Sequence, residues 1–393
     1  MTEAIEKKIP ARSPLDSIHA RLAATMFERD GWLVPASYGD VLWEYAAVRE
    51  SGAGLIDISP RGRIHVSGTE AVQFLNGLIT NDMKTLAENS WMPAVFPNVQ
   101  GRLIASVCVA RLQDEGTDGK VCPTFLIDTE AATHERVLET IERFTLAGDF
   151  RVTDVSALTA MLSVQGRKSV EIVRTVFGET AAGIAPNRAA RIGWPKTAEN
   201  GGATGGATDG VTVMRATHTG EDGFYFVVNA DQAGGLWEAL QNAGARPVGY
   251  EALEILRIEA GLPRYGVDMD DTNVVTETAL DDAVSYTKGC YVGQEIIARI
   301  KYRGHVARKL AGLLFERAVK VEVGAAIKSA DDKEVGRVTS VAYSPHLGRT
   351  VAMGYLKYDY LALGTSLKIT SAEEELPAQV TELPFVRGSW PRE

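Results

Sequence analysis

The pattern of hydrophobic residues changes near residue 305, and this change constrains the fold more than any other feature of the sequence. Roughly the first 300 residues alternate stretches typical of strands with stretches typical of helices. After about Ala307 come short strand-like segments, separated by Gly, Pro and charged turns: LAGLLFE, EVGRVTSVAYS, TVAMGYL and SLKIT. This spacing predicts a small antiparallel barrel or sandwich over residues 305–393. The chain is therefore predicted to be α+β, with a mixed region at 1–304 and a β domain behind it.

Periodicity places several elements of the mixed region. Residues 15–29 are predicted to be helical, because four apolar side chains recur at helical spacing: Leu15, Ile18, Leu22 and Met26. Residues 249–261 form a second, strongly periodic helix. Residues 102–112 and 123–128 have the apolar character of strands, and the polar loop between them allows them to pair. The Gly-rich duplication at 201–210 predicts a flexible surface loop.

Composition and charge narrow the classes of function. The 393 residues are 45% hydrophobic, and 41 Lys plus Arg against 51 Asp plus Glu give a formal charge of −10. A net acidic chain disfavours broad nucleic-acid binding, and the lack of long apolar runs disfavours a membrane span. The three cysteines and six histidines show no metal-ligand spacing, so we expect no metal site. The N-terminus lacks the apolar region of a secretory signal, which predicts a cytoplasmic protein.

The segment 288–304 carries the most chemical information. It begins KGCYVGQE, so two glycines flank the Cys-Tyr-Val stretch and a helix is predicted to begin at Gln294. Lys288 and a helix N-terminus both favour a thiolate, which makes Cys290 the predicted reactive cysteine. The alternative is a small buried thiol packed in a turn, the usual fate of a lone cysteine. A run of five cations without an acid follows, typical of a solvated linker or of an anion-binding strip: Arg299, Lys301, Arg303, Arg308 and Lys309.

A second candidate site lies at T-G-E-D-G-F, residues 219–224. Asp-Gly within it is a strong hairpin-turn dipeptide, and Glu221 stands directly before that turn. Arg257 lies on the apolar face of the predicted helix 249–261. Its charge is costly to bury, so it must meet an anion or a carbonyl; a structural ion pair with Glu259 or a nearby Asp is an equal alternative.

K-G-C-Y-x-G-Q-E, followed by A-R and R-G, resembles the signature of the YgfZ-type folate-binding proteins, which are relatives of the glycine cleavage T-protein (aminomethyltransferase). The resemblance extends over nearly the whole chain, through G-L-I-D-I-S at 54–59 and the later segments G-R-V-T-S and A-M-G-Y. It implies three domains in a ring around a central folate channel. Residues 1–304 would form two intertwined α+β domains, with approximately 60–150 as one of them, and 305–393 the barrel.

The resemblance also implies a cofactor, its contacts and partners. The cofactor is tetrahydrofolate or a one-carbon derivative. Glu221 matches the Glu that binds the pterin in the T-protein family, and a carboxylate suits an aminopyrimidine because it can accept two N–H bonds. Arg257 matches an Arg on the channel side, and three residues of the 288–304 segment complete the implied contacts: Tyr291, Arg299 and Arg303. YgfZ-type proteins assist iron–sulfur protein maturation or repair, so iron–sulfur client proteins are the implied partners.

One departure separates this chain from T-proteins that transfer aminomethyl groups. Those carry an Asp in a strand that reads approximately G-G-I-x-D-D, whereas the matching Gly101–Ser106 holds no carboxylate. Ser106 can form hydrogen bonds but carries no charge at neutral pH. We therefore expect a folate-binding accessory protein for iron–sulfur proteins, without aminomethyl transfer. The alternative is a folate-dependent one-carbon transferase: an aminomethyltransferase, or a demethylase that moves a methyl group to tetrahydrofolate.

Overall fold

A computed structural model describes residues 9–117, 120–145, 148–194, 210–371 and 374–391. Within these ranges the chain forms two α+β units, each with its own sheet, and a closed β-barrel. The predicted α+β fold class and the C-terminal barrel are thus confirmed. The Gly-rich loop predicted at 201–210 lies outside the described residues except for Gly210. No helix in the described ranges has the length and apolar character needed to cross a membrane.

The strands and helices are numbered in chain order. The strands are β1 (Ala11–Arg12), β2 (Thr25–Arg29), β3 (Trp32–Ser37), β4 (Gly54–Asp57), β5 (Gly62–Ser67), β6 (Ser90–Pro97), β7 (Leu103–Arg111), β8 (Glu115–Thr117), β9 (Lys120–Cys122), β10 (Thr124–Thr129), β11 (Arg151–Asp154), β12 (Thr159–Gln165), β13 (Ala189–Gly193), β14 (Gly210–Arg215), β15 (Gly223–Asn229), β16 (Arg246–Pro247), β17 (Arg308–Phe315), β18 (Ala326–Ser329), β19 (Glu334–Ser344), β20 (Arg349–Lys357), β21 (Ser366–Ser371) and β22 (Glu374–Thr381). The α-helices are α1 (Asp16–Arg21), α2 (Val41–Arg49), α3 (Ala71–Leu78), α4 (His134–Arg143), α5 (Ser169–Phe177), α6 (Glu179–Ala182), α7 (Ala233–Asn242), α8 (Tyr250–Glu259) and α9 (Gln294–Arg303).

The first unit is built on a six-stranded sheet with the order β13-β14-β15-β12-β4-β16. Side chains alternate between the two faces of each strand, so both faces acquire an apolar core. On β4, Leu55 packs with α5 and α7 on one face, while Ile56 packs with α2 and α8 on the other. The helix predicted at 249–261 is confirmed as α8, which lies on the second face.

The second unit is built on a five-stranded antiparallel sheet with the order β11-β5-β10-β7-β6. Helices α3 and α4 cover one face of it. The other face turns toward the six-stranded sheet, where Ala110 and Leu126 join a core with Met214 and Val227. The strands predicted at 102–112 and 123–128 are β7 and β10, and they pair as the sequence allowed.

The helix predicted over residues 15–29 is wrong beyond its first turns. Helix α1 ends at Arg21, and Ala23 takes a left-handed backbone conformation with φ of 53°. Residues 25–29 then form β2, which pairs antiparallel with β3. The apolar residues that suggested one continuous helix therefore belong to a helix and a strand joined by a tight turn.

The C-terminal barrel closes in the order β17-β20-β19-β18-β21-β22. The inward-facing side chains of its strands form the barrel core, which includes Leu313, Phe315 and Ile327. The outer face of β19 and β20 contacts helix α8 of the first unit through a second apolar cluster that contains Ile258 and Met353. The barrel therefore packs directly on the unit that carries α8, which fixes the position of that helix beside the cavity described next.

Candidate functional site

A cleft with about 840 Å³ of empty space, part of it open to solvent, lies between the two α+β units. The three-stranded sheet β1-β3-β2 lines it from β2 and β3, and the first unit from the residues after β4 and from helix α8. The second unit lines it from the residues that follow β10. The segment after α8 completes the wall. The lining residues are Arg29, Asp30, Val34, Ile58, Pro60, Arg61, Glu130, Ala131, His218, Tyr250, Leu253, Glu254, Arg257, Leu262, Pro263 and Arg264.

His218 and Tyr225 form one polar pair at this cleft. His218 Nδ1 lies 2.9 Å from Tyr225 Oη, and the two rings stack with centroids 5.2 Å apart. Burial lowers the pKa of His218 to about 3 and raises the pKa of Tyr225, so both are neutral at physiological pH. Tyr225 has no other acceptor among the described residues, so its hydroxyl donates to Nδ1. The ring proton of His218 is then on Nε2, which is buried, lacks an acceptor and belongs to a residue that lines the cleft.

Arg61 and Asp128 form an ion pair beside the His218–Tyr225 pair, on the side of the second unit. Arg61 Nε donates to Asp128 Oδ1 at 2.7 Å, and Asp128 is 2% exposed. Its other oxygen has no hydrogen-bond partner in the described part of the chain. Asp128 pairs across the sheet with Cys108, and burial raises the pKa of that thiol. The pair therefore supplies a buried acceptor oxygen next to a cysteine that stays protonated.

Three arginines surround one carboxylate at another part of the cleft wall. Glu254 pairs with Arg257 and lies 3.7 Å from Arg264 Nε and 3.9 Å from Arg29 Nη1. The Nε–H groups of Arg257 and Arg264 are buried and have no acceptor within the described residues. Partial burial also lowers the pKa of Arg264. This wall is therefore rich in guanidinium groups, and two of their N–H donors are left without a protein acceptor in the described part of the chain.

Glu130 provides a carboxylate on the lining, directly after β10. Its oxygens accept one backbone N–H, from Tyr265, at 3.3 and 3.4 Å. Burial raises its pKa, while the positive charges of Arg61 and Arg264 oppose that shift. The carboxylate is therefore poorly solvated and only partly satisfied by the protein.

Glu221, the predicted pterin contact, is buried among protein groups. It is 1% exposed, and Arg49 Nη1 donates to its Oε1 at 2.7 Å. Its Oε2 accepts the backbone N–H of Ser389 at 2.8 Å. Both oxygens are thus engaged by protein groups, and Glu221 lies outside the lining of the cleft. The carboxylate ties the C-terminal segment to the turn before β15.

Lys288 was predicted to favour the thiolate of Cys290, but its ammonium group contacts other atoms. Its ammonium group donates to three backbone carbonyls at the end of α3, at 2.7, 2.8 and 2.8 Å: those of Asn76, Ile79 and Asn81. All three of its protons are used there, so the charge serves α3 and not the thiol. Cys290 itself is exposed, as the reactive-cysteine prediction requires.

The remaining predicted residues divide between core, surface and cleft. Tyr291 is buried in an apolar cluster under the ammonium of Lys288. Arg299 and Arg303 are exposed on α9. Among the residues predicted as site residues, Arg257 is the one found on the described cleft lining, and its pairing with Glu254 and Asp268 also satisfies the ion-pair alternative.

The sequence carried weak signals for the residues that were missed. His218 and Tyr225 flank T-G-E-D-G-F on its two sides, and strand alternation places Tyr225 on the face opposite the core residue Phe224. Glu130 stands one residue past an apolar strand, where polar side chains at a sheet edge often line a site. Neither signal shows which cavity the side chain meets, because that depends on how the two sheets pack.

Two family models match this chain: the GCVT N-terminal domain over residues 15–288 and the glycine cleavage T-protein C-terminal barrel domain over residues 308–387. An aminomethyltransferase of Thermotoga neapolitana is 32% identical over 389 residues, which cover 97% of this chain and 99% of the relative. An aminomethyltransferase of Symbiobacterium thermophilum is 32% identical over 392 residues, with 96% and 97% covered.

The fold has a solved counterpart. The crystal structure of the glycine cleavage system aminomethyltransferase T from Bartonella henselae superposes with a TM-score of 0.85 at 23% identity. The match covers 97% of this chain and 99% of that one. The likeness establishes the arrangement of both α+β units and the barrel.

Proposed function

Because this chain belongs to the glycine cleavage T-protein family, we propose that it is a tetrahydrofolate-dependent one-carbon transferase that binds the folate in the cleft between its two α+β units. This function was the alternative that the amino-acid sequence left open. It becomes the main proposal because the family models and the relatives, which are named aminomethyltransferases, span nearly the whole chain.

The observation that carries the proposal is the set of unsatisfied donors at the cleft. Buried N–H groups without acceptors are rare in folded proteins, because each costs about 1–3 kcal/mol. Three such groups belong to residues that line this cleft: His218, Arg257 and Arg264. A reduced folate carries a carbonyl on its pterin and carboxylates on its glutamate, which are the kinds of acceptor that these groups lack. Glu130 supplies the matching acceptor for pterin N–H groups.

Each side chain then has a definite task. Bound tetrahydrofolate supplies the ring nitrogen that receives the one-carbon unit. His218 donates a hydrogen bond without carrying a charge, since its pKa of about 3 keeps it neutral. The arginines beside Glu254 orient an anionic part of the ligand, and the apolar residues Val34, Ile58 and Leu253 exclude water from the cleft.

Calorimetric titration of tetrahydrofolate, under reducing conditions, tests the proposal. We expect the wild-type chain to bind, and His218→Phe to bind about fivefold more weakly, the loss for one neutral hydrogen bond. His346→Phe, at an exposed position of the barrel, is the matched control. Transfer is then assayed with an aminomethylated lipoyl carrier and with methylated donors. A wild-type chain that binds no tetrahydrofolate, or binds it and transfers nothing from either donor class, contradicts the proposal.

One observation keeps the iron–sulfur function as a second candidate. Cys290 is exposed at the centre of KGCYVGQE, where it can reach a client protein or a transiently bound iron. One thiolate cannot hold a cluster alone, so a client must supply the other ligands.

Thiol labelling and complementation test this second candidate. We expect Cys290 to be alkylated faster in the native state than Cys108, whose thiol pKa is raised by burial. In cells that lack the protein, Cys290→Ser should retain tetrahydrofolate affinity yet fail to restore iron–sulfur enzyme activity. Full restoration by this variant would remove the second candidate.

A further inference from the structure

We infer that Glu130 is the carboxylate that binds the N–H donors of the ligand in this cleft, and that it replaces the acid missing from the strand Gly101–Ser106. This inference rests on the proposed function, since it names the acidic residue of the same folate site.

Strand register places the two positions side by side. In the antiparallel pair of β7 and β10, Asp128 lies opposite Cys108 and Thr129 opposite Val107. Continuing this register by one residue brings Glu130 next to Ser106. Side chains two residues apart on a strand share a face, so Glu130 points to the face of Asp128, and Ser106 points to the face of Cys108. Asp128 and Cys108 are opposite each other and share one face, so Glu130 and Ser106 share it too. The carboxylate of Glu130 therefore follows β10, the neighbour of β7. It lies on the same face of the sheet as Ser106, where T-proteins that transfer aminomethyl groups carry their Asp.

The bonding state of Glu130 distinguishes it from the other acids on the lining. Glu254 is held among three arginines, and Asp30 lies 3.7 Å from Arg29. Glu130 accepts one long backbone hydrogen bond, from Tyr265. A carboxylate has about four acceptor positions, so most of its capacity is left for a ligand. Because it is partly buried on the cleft wall, a hydrogen bond to it is screened less than one made in open water.

The charged and titratable groups that face Glu130 come from several elements. Arg61 follows β4, Arg29 ends β2, and Arg264 follows α8; all three are cations. His218 does not titrate above about pH 3. Glu130 is thus the acid on this wall whose raised pKa brings its titration toward neutral pH. Ligand N–H groups bind the ionised form, so affinity should decrease as the pH falls through that pKa, and binding in this range should release a proton.

Calorimetry of the full chain tests this, with tetrahydrofolate as the probe at pH values from about 5.5 to 7.5. Titrations in two buffers of different ionisation enthalpy give the number of protons released. We expect wild type to bind more weakly at the acidic end and to release up to about one proton there. Glu130→Gln should bind roughly tenfold more weakly at pH 7.5, the loss for one charged hydrogen bond, and should lose both the proton release and the pH dependence. Glu135→Gln, exposed on α4, is the control.

The possible results distinguish folate binding in the cleft from the role of Glu130 in that binding. Wild-type binding with an unchanged affinity and proton release in Glu130→Gln overturns the role of Glu130 and leaves the folate proposal standing. No binding by wild type at any pH overturns both. The proton measurement on the wild-type chain does not depend on the variant, so a folding defect in Glu130→Gln does not decide the result: absence of proton release in wild type also overturns the inference.

Discussion

At the scale of single residues, the cleft is a place where polar groups are left incompletely satisfied. Within the described ranges, His218 Nε2 and the Nε atoms of Arg257 and Arg264 lack acceptors, and one oxygen of Asp128 has no hydrogen-bond partner. Away from the cleft, Glu221 shows a buried charge that is engaged by the protein, through Arg49 and Ser389, although the neutral Nε1 atoms of Trp194 and Trp237 also lack an acceptor within the described residues. The contrast is physical, because an unsatisfied buried group destabilises the fold unless a ligand completes it. It is the reason that the function is assigned to the cleft and not to the more conspicuous sequence motifs.

At the scale of secondary-structure elements, the segment KGCYVGQE joins two helices. Lys288 binds the carbonyls at the end of α3, where the helix dipole presents partial negative charge. Gly293 then has φ of +78°, and a Cβ there would lie 2.3 Å from the carbonyl oxygen of Asn98. A side chain at that position would therefore clash, and α9 begins at the next residue. Lys288 and Gly293 of this motif therefore fix the backbone where the chain passes the end of α3 and enters α9.

This arrangement predicts that Lys288→Met destabilises the fold, because three buried carbonyls lose their charged donor. We expect the free energy of unfolding at pH 7, measured with urea, to fall by about 2 kcal/mol. Lys320→Met, at an exposed position, should change it little. A value equal to wild type for Lys288→Met would mean that the three contacts add no net stability.

Lys288 also makes the free energy of unfolding depend on pH. Burial lowers its pKa to about 8 from 10.5, so between these values the unfolded chain binds more protons than the folded one. Stability from this group therefore rises as the pH increases from about 8 to 10.5. The difference in unfolding free energy between wild type and Lys288→Met should grow over this range, and a constant difference would contradict it.

At the scale of the whole molecule, a buried network joins the first unit, the barrel and the C-terminal segment. Arg49 on α2 contacts both Glu221 and Glu259, and Glu259 also accepts hydrogen bonds from Tyr45 and from Ser344 on the barrel strand β19. Ser389 adds the C-terminal segment through Glu221. The network holds the barrel against α8, and α8 forms one wall of the cleft.

Glu221→Gln should therefore affect stability and not folate affinity. Breaking one partner of a buried ion pair costs about 3–5 kcal/mol, and we expect a loss near the lower end because glutamine keeps part of the hydrogen bonding. Urea unfolding measures the loss, and calorimetry should give a dissociation constant for tetrahydrofolate within about twofold of wild type at a temperature where the variant is folded. Glu382→Gln, whose side chain is 70% exposed, is the control. Weaker folate binding with unchanged stability would restore Glu221 as the pterin contact.

The sequence alone determined the features that depend on neighbouring residues. The spacing of the short segments that became β17, β19, β20 and β21 predicted an antiparallel barrel or sandwich. The apolar runs predicted β7 and β10, and the periodicity of 249–261 predicted α8. Short-range pattern suffices there because each element buries one face whose spacing is set by its own backbone geometry. It failed over residues 25–29, where pairing with β3 decided the conformation.

The tertiary structure decided which polar residues form the cleft. Glu221 contacts Arg49 and Ser389, which lie 172 and 168 positions away in sequence, so its carboxylate is engaged by the protein. Glu130 and His218 come from different sheets and share one cavity. A carboxylate or an imidazole has the same appearance in a sequence whether it meets an arginine or a ligand. What separates the two cases is burial and the supply of partners, and both arise only when the two units and the barrel pack together.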